Sequence, residues 1–312
     1  MGSSDKSSAM PPFNCGDHMD TQNLQAFVKV AESRSFSEAA ESLHITQPAV
    51  SKRIATLEGQ LDTRLFDRIS RTVQLTEAGA ALLPRAEHIL QAVRDAKRSI
   101  DDLQGDIAGN LSIGISHHIG LHRLPPVLQA FSLRFPKVHF DIDFMDSEEA
   151  YEQVTHGRIE LGVVTLDPTG NSPLTSKPIW HDQLVVTVAR GHPLADISNI
   201  SPATLSQYRA ILPGLNTYTG QIIKALFQQH QLTLDISMST NYLETIKMMV
   251  SIGLGWSVLP HTMIDSTIKA LEIDNLQLDR TLGYVHHHKR SLSNAATAFV
   301  AALQAEGDFS EA

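Results

Sequence analysis

Three short clusters in the second half of the chain carry the side chains best suited to hold a small molecule: Ser116-His117-His118, Thr217-Tyr218-Thr219 and Thr240-Asn241. Each stands where an extended run gives way to a helical pattern. Each therefore sets hydroxyl, amide or imidazole groups beside the free N–H groups of a helix start. Three such starts facing one cleft would suit an anion, most naturally a small carboxylate. Serine and threonine at helix starts also serve as plain caps, so every hydroxyl has a purely local reading beside the functional one.

His118 and His122 are spaced i, i+4, as metal-ligating pairs on helices are, and His286-His287-His288 is a second cluster. Neither has a carboxylate or cysteine next to it in sequence, and neighbours along a strand point to opposite faces. No metal is expected unless ligands converge from elsewhere in the chain. Proton binding is the stronger alternative, because histidines in an anion pocket couple ligand affinity to pH. From another class comes a hydrolytic enzyme acting on a small carboxylate. The chain lacks the Gly-x-Ser-x-Gly elbow of such enzymes, and no residue is assigned a catalytic role. Gly253-Leu254-Gly255 follows a helical run instead of opening one, which excludes a dinucleotide fingerprint.

The bulk properties fit several domains. The chain has 312 residues and a formal net charge of -9, with no apolar run long enough to suggest a membrane span and no signal-peptide pattern. A cytoplasmic protein with no membrane partner is expected. Residues 1–18 read as an expression leader ahead of Met19. The single cysteine, Cys15, lies in that leader, so disulfides and thiol chemistry have no part in the expected fold.

Steps of three and four place Ala39, Ala40 and Leu43 on one helical face and Val50, Ile54 and Leu57 on the next. A tight turn joins the two. Thr46 stands as N-cap with Pro48 in the first turn, where its missing N–H is harmless. Gln47, Ser51, Lys52 and Arg53 then form an outward face able to donate to phosphates or base edges. A preceding helix through Leu24, Phe27 and Val28 makes a three-helix unit, and alternating pieces around Ser70 form a wing carrying Arg68 and Arg71. Residues 19–77 hold seven Lys and Arg against eight Asp and Glu, and five of those seven fall between Lys52 and Arg71. Affinity for nucleic acid must come from that local patch.

Thr76 caps a long helical run in which Leu82, Ala86, Ile89, Val93, Ala96, Ile100 and Leu103 alternate steps of four and three. This is the narrow seam of a coiled coil with a second chain. Pro84 falls near its beginning, and Gly105 and Gly109 close it. Beyond Gly109, strands and helices alternate in two similar series with a late return strand at 282–286, implying an α/β domain of two lobes around a cleft. The segment 167–178 reads as loop.

The ordered set Ser35-Phe36-Ser37-Glu38-Ala39-Ala40, Thr46-Gln47-Pro48-Ala49-Val50-Ser51, Leu65-Phe66-Asp67-Arg68 and Leu75-Thr76-Glu77-Ala78-Gly79 closely resembles the amino-terminal winged helix-turn-helix of LysR-type transcriptional regulators. The resemblance extends over the chain from Met19. It implies a winged helix-turn-helix domain at 19–77, a linker (dimerisation) helix at 78–108, and an α/β effector domain at 109–312 similar to type II periplasmic binding proteins. Lobe I would comprise 109–179 and 284–312, and lobe II 180–283. Asp62 stands where the family usually has glycine, and Thr46 where serine is commoner.

By position, the resemblance assigns DNA contacts to Thr46, Gln47, Pro48, Ser51, Lys52, Arg53, Arg68 and Arg71. Within the cleft it favours Ser116, His118 and Thr219, with His117, Thr217 and Asn241 next. It further implies homodimers and homotetramers on double-stranded DNA with inverted-repeat sites, contact with RNA polymerase, and control by a small-molecule effector in place of a cofactor.

Overall fold

The computed structural model describes residues 19–69, 72–103, 105–273 and 278–308. The leader with Cys15, and the wing residues Ser70 and Arg71, lie outside them. The chain divides between Ala96 and Lys97 into two compact units.

The first unit opens with three helices, α1 (Thr21–Ser33), α2 (Phe36–Ser42) and α3 (Gln47–Leu61). At each start a side-chain oxygen accepts a backbone N–H: Asp20 from Gln22, Ser35 from Glu38, and Thr46 from Ala49. Such a cap contributes about 1 kcal/mol. The turn between α2 and α3 passes through His44 in the left-handed region, at φ 53°. Strand β1 (Phe66–Ile69) pairs antiparallel with β2 (Thr72–Leu75), with Phe66 opposite Leu75. Leu24, Phe27, Val50, Ile54, Leu57 and Leu65 are buried between these elements, and the Phe66 ring lies 5.3 Å from Phe27 and 5.9 Å from Phe36. Asp62 ends α3 at φ 46°, a conformation that costs a residue with a Cβ about 1–2 kcal/mol and glycine nothing. Glycine is therefore the easier occupant of this corner.

Helix α4 (Glu77–Asp102) starts under Thr76, whose Oγ1 accepts from Gly79 N at 3.0 Å and donates to Arg64 O at 2.7 Å. It ends six residues short of the expected 108, where Gly105 and Gly109 turn the chain at φ 77° and 98°. The heptad seam splits in two. Ala86 is buried and Leu82 half-buried in the first unit's own core, alongside Leu83 and Leu90. Ile89, Val93, Ala96 and Ile100 are exposed, as is Leu103 just past the helix end.

The second unit follows in the order β3 (Gly109–Ser116), α5 (His117–His122), α6 (Leu124–Arg134), β4 (Val138–Met145), α7 (Ser147–Thr155), β5 (Leu161–Thr165), β6 (Thr175–Ala189), α8 (Pro202–Leu205), β7 (Ala210–Leu212), α9 (Tyr218–Gln229), β8 (Ile236–Ser239), α10 (Leu243–Ser251), β9 (Ser257–Pro260), β10 (Ile268–Leu271), β11 (Leu278–His286) and α11 (Asn294–Ala305). The main sheet has the order β10-β6-β11-β5-β3-β4, with β9 also on β6. Strand β3 runs parallel to β4 and β5, and β11 antiparallel to β5 and β6. A short parallel pair, β7 and β8, joins the chain at Trp256 through Ala210.

Two cores lie along β6 and β11. Leu111, Ile113, Phe131, Trp180, Leu282 and Phe299 belong to the first, and Leu184, Val186, Leu212, Phe227 and Trp256 to the second. Trp180 and Leu282 thus pack in lobe I, so the strands cross between lobes a few residues further into 180–283 than expected. The end of the 167–178 segment is also strand. Thr175 to Pro178 pair with β11, and a bulge at Leu282/Gly283 accommodates them. A Cβ on Gly283 would meet the Lys177 carbonyl oxygen at 2.1 Å, so only glycine fits there. These residues lack apolar alternation because backbone pairing, and not burial, holds them.

Candidate functional site

The exposed face of α3 presents Gln47, Pro48 and Lys52, with Ser51 half-buried beside them. Gln47 Nε2 donates to Ser51 Oγ at 3.0 Å, which orients the amide one turn along the helix. Thr46 uses its hydroxyl oxygen as the cap. Arg53 is tied back to α1, donating from Nη2 to Gln22 Oε1 at 2.8 Å. Glu58, not assigned from sequence, reaches from the far end of α3 to accept from Leu65 N at 2.8 Å and Phe66 N at 3.4 Å. It thereby couples α3 to the start of β1, where the Arg68 backbone pairs with Val73.

In the second unit, one cavity of about 60 Å³ is lined by Ser116, His117, His118, Thr217, Thr219 and Asn241 together. The sequence therefore locates all six side chains at one place. Four helix starts meet there, one more than expected: α7 adds Asp146, Ser147 and Glu148. Helix α5 has only six residues, so its dipole is weak beside that of α9.

The six differ in what already occupies them. Thr217 Oγ1 accepts from Gly220 N at 3.1 Å and donates to Gly214 O at 2.7 Å, the work of a cap. Asn241 accepts from Gly214 N at 2.9 Å and donates to Asp146 at 2.6 Å across the cleft. Ser116 makes no cap bond; its hydroxyl lies 2.8 Å from that of Ser147. The His117 ring packs edge-on against Tyr242, with centroids 4.7 Å apart. Thr219 Oγ1 accepts from Arg280 Nη1 at 2.9 Å. His118 is buried, and neither ring nitrogen has a hydrogen-bond partner among the described residues. Burial, with Arg280, His122 and Arg123 nearby, pushes its pKa down to about 2, so the ring is neutral.

Arg280, which the helix-start pattern does not single out, brings a buried positive charge to the cavity lining. Its Nε donates to Asp182 Oδ2 at 2.7 Å, while Nη2 is buried without a partner among the described residues. Strand β11 explains how it could have been found. Leu278, Arg280 and Leu282 share one face at period two and are all buried, so an arginine interrupts an apolar stripe. An expected strand beginning at 282 leaves it out. Negative charge is present too: Asp146 and Glu148 also line the cavity, and burial lifts the Glu148 carboxyl above its ordinary range.

His122 Nε2 lies 2.7 Å from Glu244 Oε1, on the first turn of α10. With His118 these form the group of three metal-ligating side chains gathered among the described residues. Of the second histidine cluster, His288 Nδ1 bonds Pro173 O, and the rings of His287 and His288 stack at 5.1 Å. No such group forms around them among the described residues. Among those residues, too, no helix is long and apolar enough to cross a membrane.

Residues 21–80 match the family described as bacterial regulatory helix-turn-helix protein, lysR family, and residues 104–308 match the LysR substrate binding domain. A probable RuBisCO transcriptional regulator of Thalassiosira pseudonana is 30% identical over 290 residues, covering 89% of this chain and 94% of that protein. Among solved structures, full-length CbnR complexed with its target DNA aligns with a TM-score of 0.64 at 22% identity, over 93% of this chain and all (100%) of that one. The effector binding domain of QuiR in complex with shikimate aligns at 0.58 and 20% identity, over 64% of this chain and 97% of that one. A helix-turn-helix with a two-stranded wing and a two-lobed α/β unit, matched in order along the chain, make this protein a member of the LysR family, a DNA-binding transcriptional regulator with an effector-binding domain.

Proposed function

We propose that the effector is a small anion that also carries a hydroxyl or ammonium group, bound between the lobes of the second unit. The buried Arg280 guanidinium carries this reading. It lines the cavity, has a donor to spare, and stands beside Thr219 in the first turn of α9. A guanidinium and a helix start together suit a carboxylate or phosphate. Glu148 and Asp146, which line the same cavity, suit a donor group on the same ligand. At about 60 Å³, the cavity holds only a handful of water-sized groups, which favours a compact ligand. Ser116, His117, His118, Thr217 and Asn241 complete the proposed contact set, and the shikimate complex of QuiR is in keeping with it.

On the DNA side, Thr46, Gln47, Pro48, Ser51, Lys52 and Arg53 would read the major groove, and Arg68 and Arg71 the backbone or minor groove beside it. The exposed seam from Ile89 onward supports pairing of linker helices. Dimers, joined as tetramers on inverted-repeat double-stranded DNA, would then respond to the effector and meet RNA polymerase. A reading through protonation of the cleft histidines is less favoured, since the most buried of them, His118, is already neutral.

The experiment is a thermal-shift series on the full chain with small hydroxy- and amino-carboxylates, each paired with its neutral amide. A ligand that binds the native state raises the melting temperature. Carboxylates should do so and their amides should not, and Thr219→Val should weaken the best ligand by about 1–3 kcal/mol through a lost hydrogen bond. Equal shifts for acid and amide would exclude the anion site.

A further inference from the structure

We propose that His118, His122 and Glu244 bind a divalent d-block cation of the zinc class, one that ties the two lobes together. The ligand set is drawn from two lobes that sequence spacing alone does not join. His118 and His122 sit one turn apart on α5, with ring centroids at 4.9 Å. Glu244 comes from the first turn of α10, more than a hundred residues later, and its Oε1 is 2.7 Å from His122 Nε2. One donor atom from each of the three lies within 4.8 Å of the other two. A tetrahedral ion with ligands at about 2.0–2.1 Å draws such atoms to roughly 3.4 Å from one another. Rotation of His122 and Glu244, whose side chains are 41% and 39% exposed, provides that approach.

The second observation is His118 itself. The residue is 6% exposed, and both its ring nitrogens lack a hydrogen-bond partner among the described residues. An imidazole buried in that way forfeits the hydrogen bonds it had in water, and natural structures rarely leave such a group without a role. A metal ion takes one lone pair of a neutral ring. The buried carboxylate of Asp182 has Oδ2 4.0 Å from His118 Nε2, too far for a hydrogen bond here but placed so that a small turn of the ring on binding metal would make one, the contact that fixes a ligating histidine. Two guanidinium groups stand close, Arg280 and Arg123. Asp182 holds the first at 2.7 Å and lies 3.8 Å from the second, so their charge is partly neutralised where the cation would sit.

Two imidazoles and one carboxylate, with no sulfur, suit zinc and its neighbours more than calcium or magnesium, which prefer oxygen alone. Three protein ligands also leave a coordination position open. The inference goes beyond the anion reading and does not depend on it, since its measurement uses the metal alone.

The test compares the full chain with His122→Ala and Glu244→Gln, all stripped of metal by chelator and checked for unchanged circular dichroism. Zinc is then added, unbound ion is removed by dialysis, and the retained ion is measured by elemental analysis and titration calorimetry. The parent should retain one zinc per chain more than either variant. Affinity at that site should fall by more than the ~10–100-fold that loss of an outer-sphere partner costs. Cobalt should give visible d–d absorption in the parent that both variants lose. Binding through Cys15 or the 286–288 histidines would be common to all three proteins and cancels in the difference. Equal stoichiometry and affinity in all three, or no zinc retained by the parent, overturns the proposal.

Discussion

Arg280 and Asp182 are direct cross-strand partners on β11 and β6, joined at 2.7 Å with side chains 4% and 1% exposed, at the place where both strands pass from one lobe to the other. Removing Arg280 leaves the Asp182 carboxylate buried with only the looser Arg123 contact, at 3.8 Å, to offset its charge. Arg280→Ala should therefore destabilise the second unit by about 3–5 kcal/mol, whereas the double change Arg280→Met with Asp182→Leu should restore most of that loss. Denaturant unfolding of the full chain, followed by Trp180 and Trp256 fluorescence, gives the comparison. A single variant as stable as the parent would mean that the pair contributes nothing to the crossing.

The two ends of α3 make separable predictions for DNA. Gln47→Ala removes an exposed amide from the reading face and should relax base preference while leaving general affinity nearly intact. Glu58→Ala removes the acceptor of Leu65 N, a charge-assisted bond worth about 1.5–3 kcal/mol, and so frees the start of β1. It should weaken binding to all sequences alike. Binding measured on a specific and a scrambled duplex at several salt concentrations distinguishes the two, and identical profiles for both variants would contradict the division of labour.

What the sequence made legible follows from what each element had to satisfy. The reading helix could be placed from Thr46, Pro48 and the Val50-Ile54-Leu57 stripe because capping and burial both act within one helix. The cavity side chains could be named because helix starts carry a local signature. Partners distant in the chain left no such trace. Glu244 meets His122, Asp146 meets Asn241, and Glu148 accepts from Tyr218 N only after the lobes have folded and come together. Arg280 was hidden for a related reason: its strand reads as beginning at Leu282, and its burial is compensated by Asp182, which lies on another strand. The beginning of the seam packs in the first unit's own core, since an apolar period of 3.5 does not say which chain covers it.

That split seam predicts two different outcomes along α4. Val93 and Ile100 are 50% and 65% exposed, so Val93→Glu with Ile100→Glu should leave the folded chain intact while dissociating dimers. Ala86 is wholly buried in the first unit. Ala86→Glu should instead unfold that unit, through a buried unpaired charge. Sedimentation equilibrium and circular dichroism together distinguish loss of assembly from loss of fold. A seam double variant that still sediments as the parent would show that α4 does not pair there.

Glu148 gives the cavity a pH dependence whose sign can be worked out. Burial is the largest influence and raises its carboxyl above the 4.5 of a free side chain, and Asp146 adds to the rise, while the N–H of Tyr218 opposes it. A carboxyl whose folded pKa is raised contributes stability that is fully present below about pH 4.5 and is lost as pH rises through the folded value. At neutral pH the ionised group is therefore held at a cost. Glu148→Gln keeps an oxygen to accept from Tyr218 N and removes the charge. The difference in urea midpoint, variant minus parent, should grow with pH above 4.5 and then level off. A difference independent of pH would mean that Glu148 is not strained by ionisation, and that the cavity tolerates a carboxylate without penalty.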